Sequence, residues 1–263
     1  MLSYRDLING LKDLGIAPTW PLLVHASLSA FGEVRGGADT VLGALMATSD
    51  SLMMPAFTYR TMIIPEVGPA NNGMVYGSGE KTNRMAEFYW PSLPVDPMIG
   101  VVAERLRQHP HASRSMHPIL SFAGINVEEA LEAQSLEQPL APIGVLARQG
   151  GWVLLLGVDH TVNTAIHLAE RAAGRTQFTR WALTPTGIVA CSGFPGCSDG
   201  FNQVEPVVES FVRKVQVGEA TIQALPLARL IEAVTDLIEV QPLALLCDRA
   251  DCERCESVRA AGH

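Results

Sequence analysis

The sequence predicts an α/β protein with three layers, α/β/α, around a central mixed sheet. Apolar segments of strand length alternate with longer segments whose apolar residues recur at helical spacing. A hairpin-like segment at residues 215–226 adds antiparallel neighbours, so the sheet is expected to be mixed rather than wholly parallel. The chain has 263 residues, of which 48% are apolar and 17% charged, and it can therefore bury a sizeable core.

The first part of the chain shows this alternation clearly. Residues 3–14 carry leucines three and four positions apart, which predicts an amphipathic helix. The apolar segment 21–28 predicts a buried strand. A glycine-rich turn then leads into a helix over 38–48, and the segment 51–57 predicts the next strand.

Residues 58–96 interrupt the pattern, because proline, glycine and asparagine recur through them. We expect a long surface loop over residues 60–80. Loops of this length in compact domains are usually lids or binding loops, and the alternative is a disordered excursion.

The second half of the chain returns to alternating strands and helices. The predicted elements are a helix over 98–108, a strand over 117–125, helices over 127–134 and 141–149, a central strand over 151–158, a helix from near Thr161, a single strand over 181–190, a helix from Glu205, the hairpin, and a helix over 227–237.

Charge and hydropathy exclude two classes of partner. The net charge is -8, and no cluster of Lys and Arg could follow a phosphate backbone, so nucleic acid is not expected as a partner. No apolar segment reaches 18 residues, and the N-terminus lacks the basic start and apolar core of a signal peptide. We therefore expect a soluble cytoplasmic protein without a membrane partner.

A glycine turn between a strand and a helix is the first candidate site. Gly36 and Gly37 would let backbone N–H groups approach a ligand closely, and the start of the following helix favours an anion. Arg35 adds a cation, and Ser27 and Ser29 add hydroxyl groups. The alternative is a plain turn. The segment matches neither a Walker A motif nor GxGxxG.

A polar helix face after the central strand is the second candidate site. His167 and Glu170 are three positions apart and share a face, with Asn163 and Thr164 one turn earlier. A histidine with a carboxylate beside it can act as a general base. The alternative is a solvated helix face. No GxSxG motif is present, so a covalent serine hydrolase is not favoured.

The cysteines form a third group, and a reducing compartment would keep them from building a disulfide framework. Cys252 and Cys255 have zinc-ligand spacing, and Cys247 or Cys197 would complete four ligands. Only one CxxC pair is present, so the sequence favours reduced, partly exposed thiols over a structural zinc ion. No HExxH motif supports a catalytic metal.

Six ordered segments between about residue 23 and residue 206 resemble the aminoglycoside 3-N-acetyltransferase family, the antibiotic N-acetyltransferases that are distinct from the GNAT superfamily. The segments are VHASLSAFGEVRGGADTVLGAL, SLMMPAFT, DPMIGVVAERLRQHPHASRSMHPILSFAGI, APIGVLARQGGWVLLLGV, NTAIHLAE and GCSDGFNQVEP. The chain is less similar to the family between residues 58 and 85, where the loop would shape the acceptor pocket.

The resemblance implies one domain over residues 1–263, with an acceptor-site loop at about 58–85 and a cysteine-containing tail at about 245–263. It implies acetyl transfer from acetyl-CoA to an aminoglycoside, at the 3-amine of the deoxystreptamine ring, which confers resistance. An N-acetyltransferase of a non-antibiotic amine and a non-catalytic CoA- or amine-binding protein remain open. The protein is expected to be a monomer or a homodimer.

The resemblance also assigns roles to residues. His167 becomes the catalytic base, and Glu205 competes with Glu170 to orient the histidine. For the oxyanion of the reaction, our candidates are Thr164 or a backbone N–H group. The implied CoA-binding residues are His25, Ala26, Ser27, Leu28, Ser29, Arg35, Gly36, Gly37, Ala38, Ser115 and His117. The acceptor-binding candidates, mostly carboxylates suited to a polycation, are Tyr59, Glu66, Glu80, Asp96, Asp159 and Asn163.

Overall fold

The computed structural model describes residues 1–261, and its main sheet has seven strands. Their order across the sheet is β4 (Ser113–Arg114), β5 (Phe122–Ile125), β2 (Leu52–Pro55), β1 (Leu22–Ala26), β6 (Trp152–Leu156), β10 (Ala220–Pro226) and β9 (Arg213–Val217). The three central strands β2, β1 and β6 are parallel, and the outer pairings are antiparallel. The predicted mixed sheet is therefore confirmed, including the hairpin of β9 and β10.

A second, three-stranded sheet consists of β3 (Met62–Ile63), β7 (Phe178–Thr184) and β8 (Gly187–Phe194). The prediction of one strand over 181–190 is wrong, because a turn at Pro185 and Thr186 divides it into the hairpin of β7 and β8. Pro185 has no backbone N–H to donate to a ladder, and Gly187 has a φ of 124°, so this segment reverses direction.

Helices cover both faces of the main sheet, which confirms the three-layer α/β/α architecture. One face carries α1 (Tyr4–Asp13), α2 (Gly37–Thr48) and α4 (Val101–Arg107). The other carries α5 (Glu128–Glu132), α6 (Ala141–Arg148), α7 (Thr164–Ala172), α8 (Glu205–Val208) and α9 (Leu227–Val240). Two further helices are α3 (Glu80–Arg84) and α10 (Glu253–Ala261). Within residues 1–261, no helix combines the length and apolarity needed to span a bilayer.

The long loop predicted at 60–80 is partly structured. It contains β3, which pairs with β7, and it is followed by α3. Asn72 anchors it, because its side chain exchanges hydrogen bonds with the backbone of Thr179 at 2.7 and 2.9 Å. This tertiary contact has no local sequence signal.

Two predicted boundaries shift because of local turns. The helix expected from residue 98 begins at Val101, since residues 97–99 form a 3-10 turn and Gly100 has a φ of 98°. The helix expected from Thr161 begins at Thr164, after a 3-10 turn over His160–Val162.

The central strands β1 and β6 position the candidate site. Every residue of both strands is buried, because helices cover the two faces of the sheet. The strands run in parallel, so their carboxyl ends at Ala26 and Leu156 lie at the same edge. In open α/β sheets, ligands bind outside this edge.

Candidate active site

A cleft of about 1230 Å³ opens at the carboxyl ends of β1 and β6. The residues after β1, the start of α7, and residues 97–101 contribute to its lining, together with parts of the three-stranded sheet and of α10. A cleft of this size exceeds the usual range for drug-sized ligands, and it can therefore hold two extended substrates together.

A buried chain of hydrogen-bonded polar side chains runs from the cleft through α7. His167 lines the cleft, and its Nδ1 lies 2.6 Å from Glu170 Oε2. The other oxygen of Glu170 accepts a hydrogen bond of 2.6 Å from Arg175. Arg175 also donates to the carbonyl groups of Pro242 and Ala244, at 2.7 and 2.8 Å. Because His167, Glu170 and Arg175 are all buried, these contacts hold them in one arrangement.

This chain of contacts determines which histidine nitrogen is available for proton transfer. A carboxylate only accepts hydrogen bonds, so the proton of the neutral imidazole belongs on Nδ1, and Nε2 can accept another. The ring of Phe201 packs edge-on against His167, with 4.7 Å between ring centroids, and further restricts its orientation.

The structure brings Glu170, and not Glu205, to His167. Glu205 is exposed at the start of α8, and its side chain makes no hydrogen bond or ion pair with any residue from 1 to 261, although its charge acts on His160. Arg175 was not anticipated from the sequence. Arg175 comes directly after Gly174, beyond the end of α7. The helical spacing of three or four residues, which places side chains on one face, does not relate it to Glu170.

Asn163 and Thr164, at the start of α7, have different roles. Asn163 caps the helix by accepting from the Ala165 N–H at 3.3 Å, and it is buried beside His160 rather than in the cleft. Thr164 does line the cleft. Its backbone N–H donates to His25 Nε2 at 3.4 Å, so its hydroxyl is the group left to contact a ligand.

His25 is both a buried strand residue and part of the cleft lining. Burial lowers the pKa of its imidazole to about 3, so the ring is neutral near pH 7. Its Nε2 accepts from Thr164, and the ring therefore connects β1 to the start of α7.

The glycine turn reaches the cleft only in part. Ala26, Ser27, Leu28, Ser29 and Gly37 line it, whereas Arg35, Gly36 and Ala38 do not. The hydroxyls of Ser27 and Ser29 lie 3.1 Å apart. Gly37 begins α2 with a φ of 59°, and a Cβ there would meet no atom within 4 Å, so backbone is exposed at this point.

Ser115 and His117 do not line the cleft, and their side chains form hydrogen bonds with the backbone beside it. Ser115 accepts from the Phe122 N–H at 2.9 Å, and His117 Nδ1 accepts from the N–H groups of Ile119 and Leu120 at 3.1 and 3.0 Å. Burial lowers the pKa of His117 to about 4. Both side chains support residues 119–122, and Leu120 of that segment lines the cleft.

Comparison with known proteins decides the family. The model of a protein family described as aminoglycoside 3-N-acetyltransferase matches residues 23–239. The chain belongs to this family. The match covers the glycine turn, the whole of α7 and nearly all of α9, and it confirms both the resemblance and the predicted enzyme class.

The relatives and solved structures agree with this family. An aminoglycoside N(3)-acetyltransferase III of Serratia marcescens is 28% identical over 266 residues, covering 86% of this chain and 91% of that protein. One from a Salmonella species is 28% identical over 255 residues and covers 81% of both chains. The crystal structure of aminoglycoside acetyltransferase AAC(3)-IVa, an apoenzyme, superposes with a TM-score of 0.80 at 25% identity, covering 99% of this chain and 98% of that one.

Most of the acceptor-binding candidates in this family member lie outside the cleft. Tyr59 lines it, but Glu66, Glu80, Asp96 and Asp159 do not. Three of these carboxylates make local contacts instead. Glu80 forms an ion pair with Arg84, and Asp96 caps a 3-10 turn. Asp159 accepts hydrogen bonds from Thr161 and Asn202. Such local roles follow from the preference of acidic side chains for turns and helix starts.

A set of residues that the sequence did not indicate forms one wall of the cleft. We call it the arginine wall, and its members are Arg180, Gly196, Ser198, Asp199 and Arg254. These residues come from β7, from the segment after β8 and from α10, so only the fold brings them together. Asp199 is half-exposed and pairs with Arg249 at 3.1 Å.

Arg180 is a buried cation that is held by neutral groups. It donates to the carbonyls of Asn72, Gly73 and Thr179 at 2.9–3.0 Å and lies over the rings of Phe178 and Phe194. Burial, reinforced by the neighbouring Arg254, lowers its pKa to about 10. Two cations and Asp199 therefore set the charge of the arginine wall.

The prediction of partly exposed thiols near the C-terminus is wrong. Cys197, Cys247, Cys252 and Cys255 are all buried, and their sulfur atoms lie within 4.8 Å of one another. They converge because residues 247–255 fold back against the segment that follows β8. Cys191 lies apart from this cluster, on β8.

Proposed function

We propose that the protein transfers the acetyl group of acetyl-CoA to the 3-amine of the deoxystreptamine ring of an aminoglycoside, which would confer resistance. The observation that supports this most directly is the contact of His167 with Glu170 and Arg175 in the wall of a large cleft. A non-catalytic binding protein has no need of an oriented base at this position.

The proposed reaction is direct transfer within a ternary complex. The acceptor nitrogen forms a bond to the thioester carbonyl carbon, and the carbon–sulfur bond breaks. His167 Nε2 takes the proton that the nitrogen must lose and returns it to the departing CoA sulfur. Glu170 stabilises the imidazolium that forms in between, and Arg175 holds Glu170 in position.

The cleft residues also suggest how acetyl-CoA is held. The turn after β1, with the hydroxyls of Ser27 and Ser29, and the exposed backbone at Gly37 form a polar track beside α7. The start of α2 favours the phosphate groups of CoA. The Thr164 hydroxyl is our candidate to stabilise the oxyanion of the tetrahedral intermediate.

Ligands bound to proteins of the same fold belong to the two proposed classes. AAC-IIIb has been solved with CoASH, and a variant of AAC(3)-IVa has been solved with a gentamicin. These proteins are 22% and 24% identical to this chain, which shows a shared fold. The bound CoASH and gentamicin are observations on those proteins.

A second candidate function is N-acetylation of an amine that is not an antibiotic. The arginine wall supports this candidate. Its two arginines, Arg180 and Arg254, would repel a polycationic aminoglycoside, and Asp199 is the carboxylate that the wall contributes to attract one. An amine that also carries an anionic group would fit these charges better.

A panel of acceptors distinguishes these candidates. Aminoglycosides with a free 3-amine, an aminoglycoside lacking it, and carboxylate-bearing amines would be incubated with acetyl-CoA while thiol release is followed. We expect turnover with the first group, about 10²- to 10⁴-fold slower in the His167→Ala variant, and a product that NMR shows to be acetylated at the 3-amine. Turnover with the carboxylate-bearing amines alone would favour the second candidate.

We further propose that residues 1–263 act as one domain, as a monomer or homodimer, in the cytoplasm. The cores on the two faces of the one main sheet support the single domain.

A further inference from the structure

Four cysteines from two distant segments form a compact cluster. Cys197 follows β8, whereas Cys247, Cys252 and Cys255 lie in the C-terminal segment, and all four are at least 95% buried. Their sulfur atoms lie within 4.8 Å of one another, and those of Cys247 and Cys255 are 3.5 Å apart. A zinc ion bound tetrahedrally by four sulfur atoms at about 2.3 Å separates those atoms by roughly 3.8 Å.

The surroundings of the cluster suit a metal bound by thiolates. Cys252 and Cys255 form a CxxC pair at the start of α10, and the Asp199 N–H donates to Cys197 Sγ at 3.5 Å. One zinc ion with four thiolates carries a charge of about -2, and three arginines lie around the cluster, namely Arg249, Arg254 and Arg259.

We propose that Cys197, Cys247, Cys252 and Cys255 bind one zinc ion, which fastens the C-terminal segment to the arginine wall of the cleft. Four thiolates complete the tetrahedral coordination and leave no position for water or substrate, so the ion is structural. The sequence favoured free thiols because one CxxC pair is half of the usual pattern. The other two ligands, Cys197 and Cys247, are supplied by the tertiary fold.

The proposed zinc site is continuous with the cleft. Cys197 lies between Gly196 and Ser198, which both line the cleft, and Arg254 lies within the CxxC pair. Arg254 Nη1 donates to the Gly196 carbonyl at 2.8 Å, which joins the two zinc-binding segments across the arginine wall. On the same helix, the Ser257 hydroxyl accepts from the Gly73 N–H at 3.2 Å and holds the loop over residues 58–85.

Metal analysis tests the proposal directly. Protein purified without chelators should contain about one zinc per chain by plasma mass spectrometry. Cys252→Ser and Cys255→Ser should each lose most of it. Cys191→Ser is the matched control, because Cys191 is equally buried but lies outside the cluster, and it should keep the metal.

The native protein provides a second measurement in case the variants fail to fold. Titration of the wild-type thiols with a mercurial reagent should release zinc to a chromogenic indicator, and replacement by cobalt should give the absorption of a tetrahedral tetrathiolate. Iron in place of zinc, disulfides among the four cysteines, or folded protein that neither contains nor takes up zinc would each overturn the proposal.

The link to the cleft is tested by kinetics, and this part rests on the proposed function. Zinc removal should raise the KM of the acceptor by about 3- to 10-fold and leave the KM of acetyl-CoA unchanged, because the arginine wall loses its support. Equal kinetic constants with and without zinc would remove the link to the cleft. Absence of any turnover would count against the proposed function, and the metal content would still decide the zinc site.

Discussion

Helix α7, which carries the proposed base, and the arginine wall are two parts of one cleft that are built in different ways. His167, Glu170 and Arg175 come from a single helix and the turn that follows it, and they are joined by hydrogen bonds of 2.6 Å. The arginine wall is assembled from β7, the segment after β8 and α10, and its charges are only partly paired. We therefore propose that α7 determines the rate of the reaction and that the arginine wall determines the preference for the acceptor.

The largest effect is expected on the helix, at His167. General-base catalysis is typically worth about 10²- to 10⁴-fold, so His167→Ala should lower kcat by that factor. Calorimetry should find acetyl-CoA and acceptor binding largely unchanged, because the histidine acts on the proton in the transition state. A variant that turns over at close to the wild-type rate would remove His167 from the mechanism.

The next effect tests which carboxylate supports the base. Glu170→Gln should lower kcat by roughly 10- to 100-fold with little change in KM, since the amide cannot stabilise the imidazolium. Glu205→Gln is the matched control, because Glu205 is exposed and does not contact His167.

Thermal unfolding of both variants should accompany the kinetics, because Glu170→Gln also leaves Arg175 without its buried carboxylate. A larger kcat loss in Glu205→Gln than in Glu170→Gln would contradict the pairing that the structure displays.

The glycine turn should affect CoA rather than the acceptor. Gly37→Val places a branched side chain at a φ of 59° on the cleft surface, and CoA affinity should fall about 10-fold or more. Gly174→Val is the control for backbone strain, since Gly174 has a φ of 79° and lies outside the cleft. Equal CoA affinity in the wild type and Gly37→Val, measured by calorimetry, would move the cofactor site elsewhere.

The smallest effect is expected on the arginine wall. Asp199→Asn should raise the KM of a polycationic acceptor by about 3- to 10-fold and leave kcat and the KM of acetyl-CoA unchanged. The effect should shrink at high salt, because Asp199 is half-exposed. Asp159→Asn, outside the cleft, should have no such effect. A lower KM in Asp199→Asn would indicate an acceptor that carries negative charge.

Local interactions are the ones that the sequence predicts correctly. The spacing of His167 and Glu170 predicted a shared helix face, and the structure joins them. The segments 21–28 and 151–158 predicted the buried strands β1 and β6. The single strand predicted over 181–190 is wrong, because a turn at Pro185 separates β7 from β8. The carboxylates predicted to bind the acceptor, Glu66, Glu80, Asp96 and Asp159, do not line the cleft.

By itself, the sequence determined the alternation of strands and helices, the glycine turn and the shared helix face of His167 and Glu170, because each depends on residues a few positions apart. It also indicated the family, through six ordered segments between about residue 23 and residue 206. Only the tertiary structure decided that Arg175 holds Glu170, that Arg180, Asp199 and Arg254 share a wall, and that four cysteines meet. Most of these contacts join residues that are far apart in the sequence and come within a few ångströms of each other only in the folded chain. Their energies depend on burial and on partners that no sequence pattern specifies.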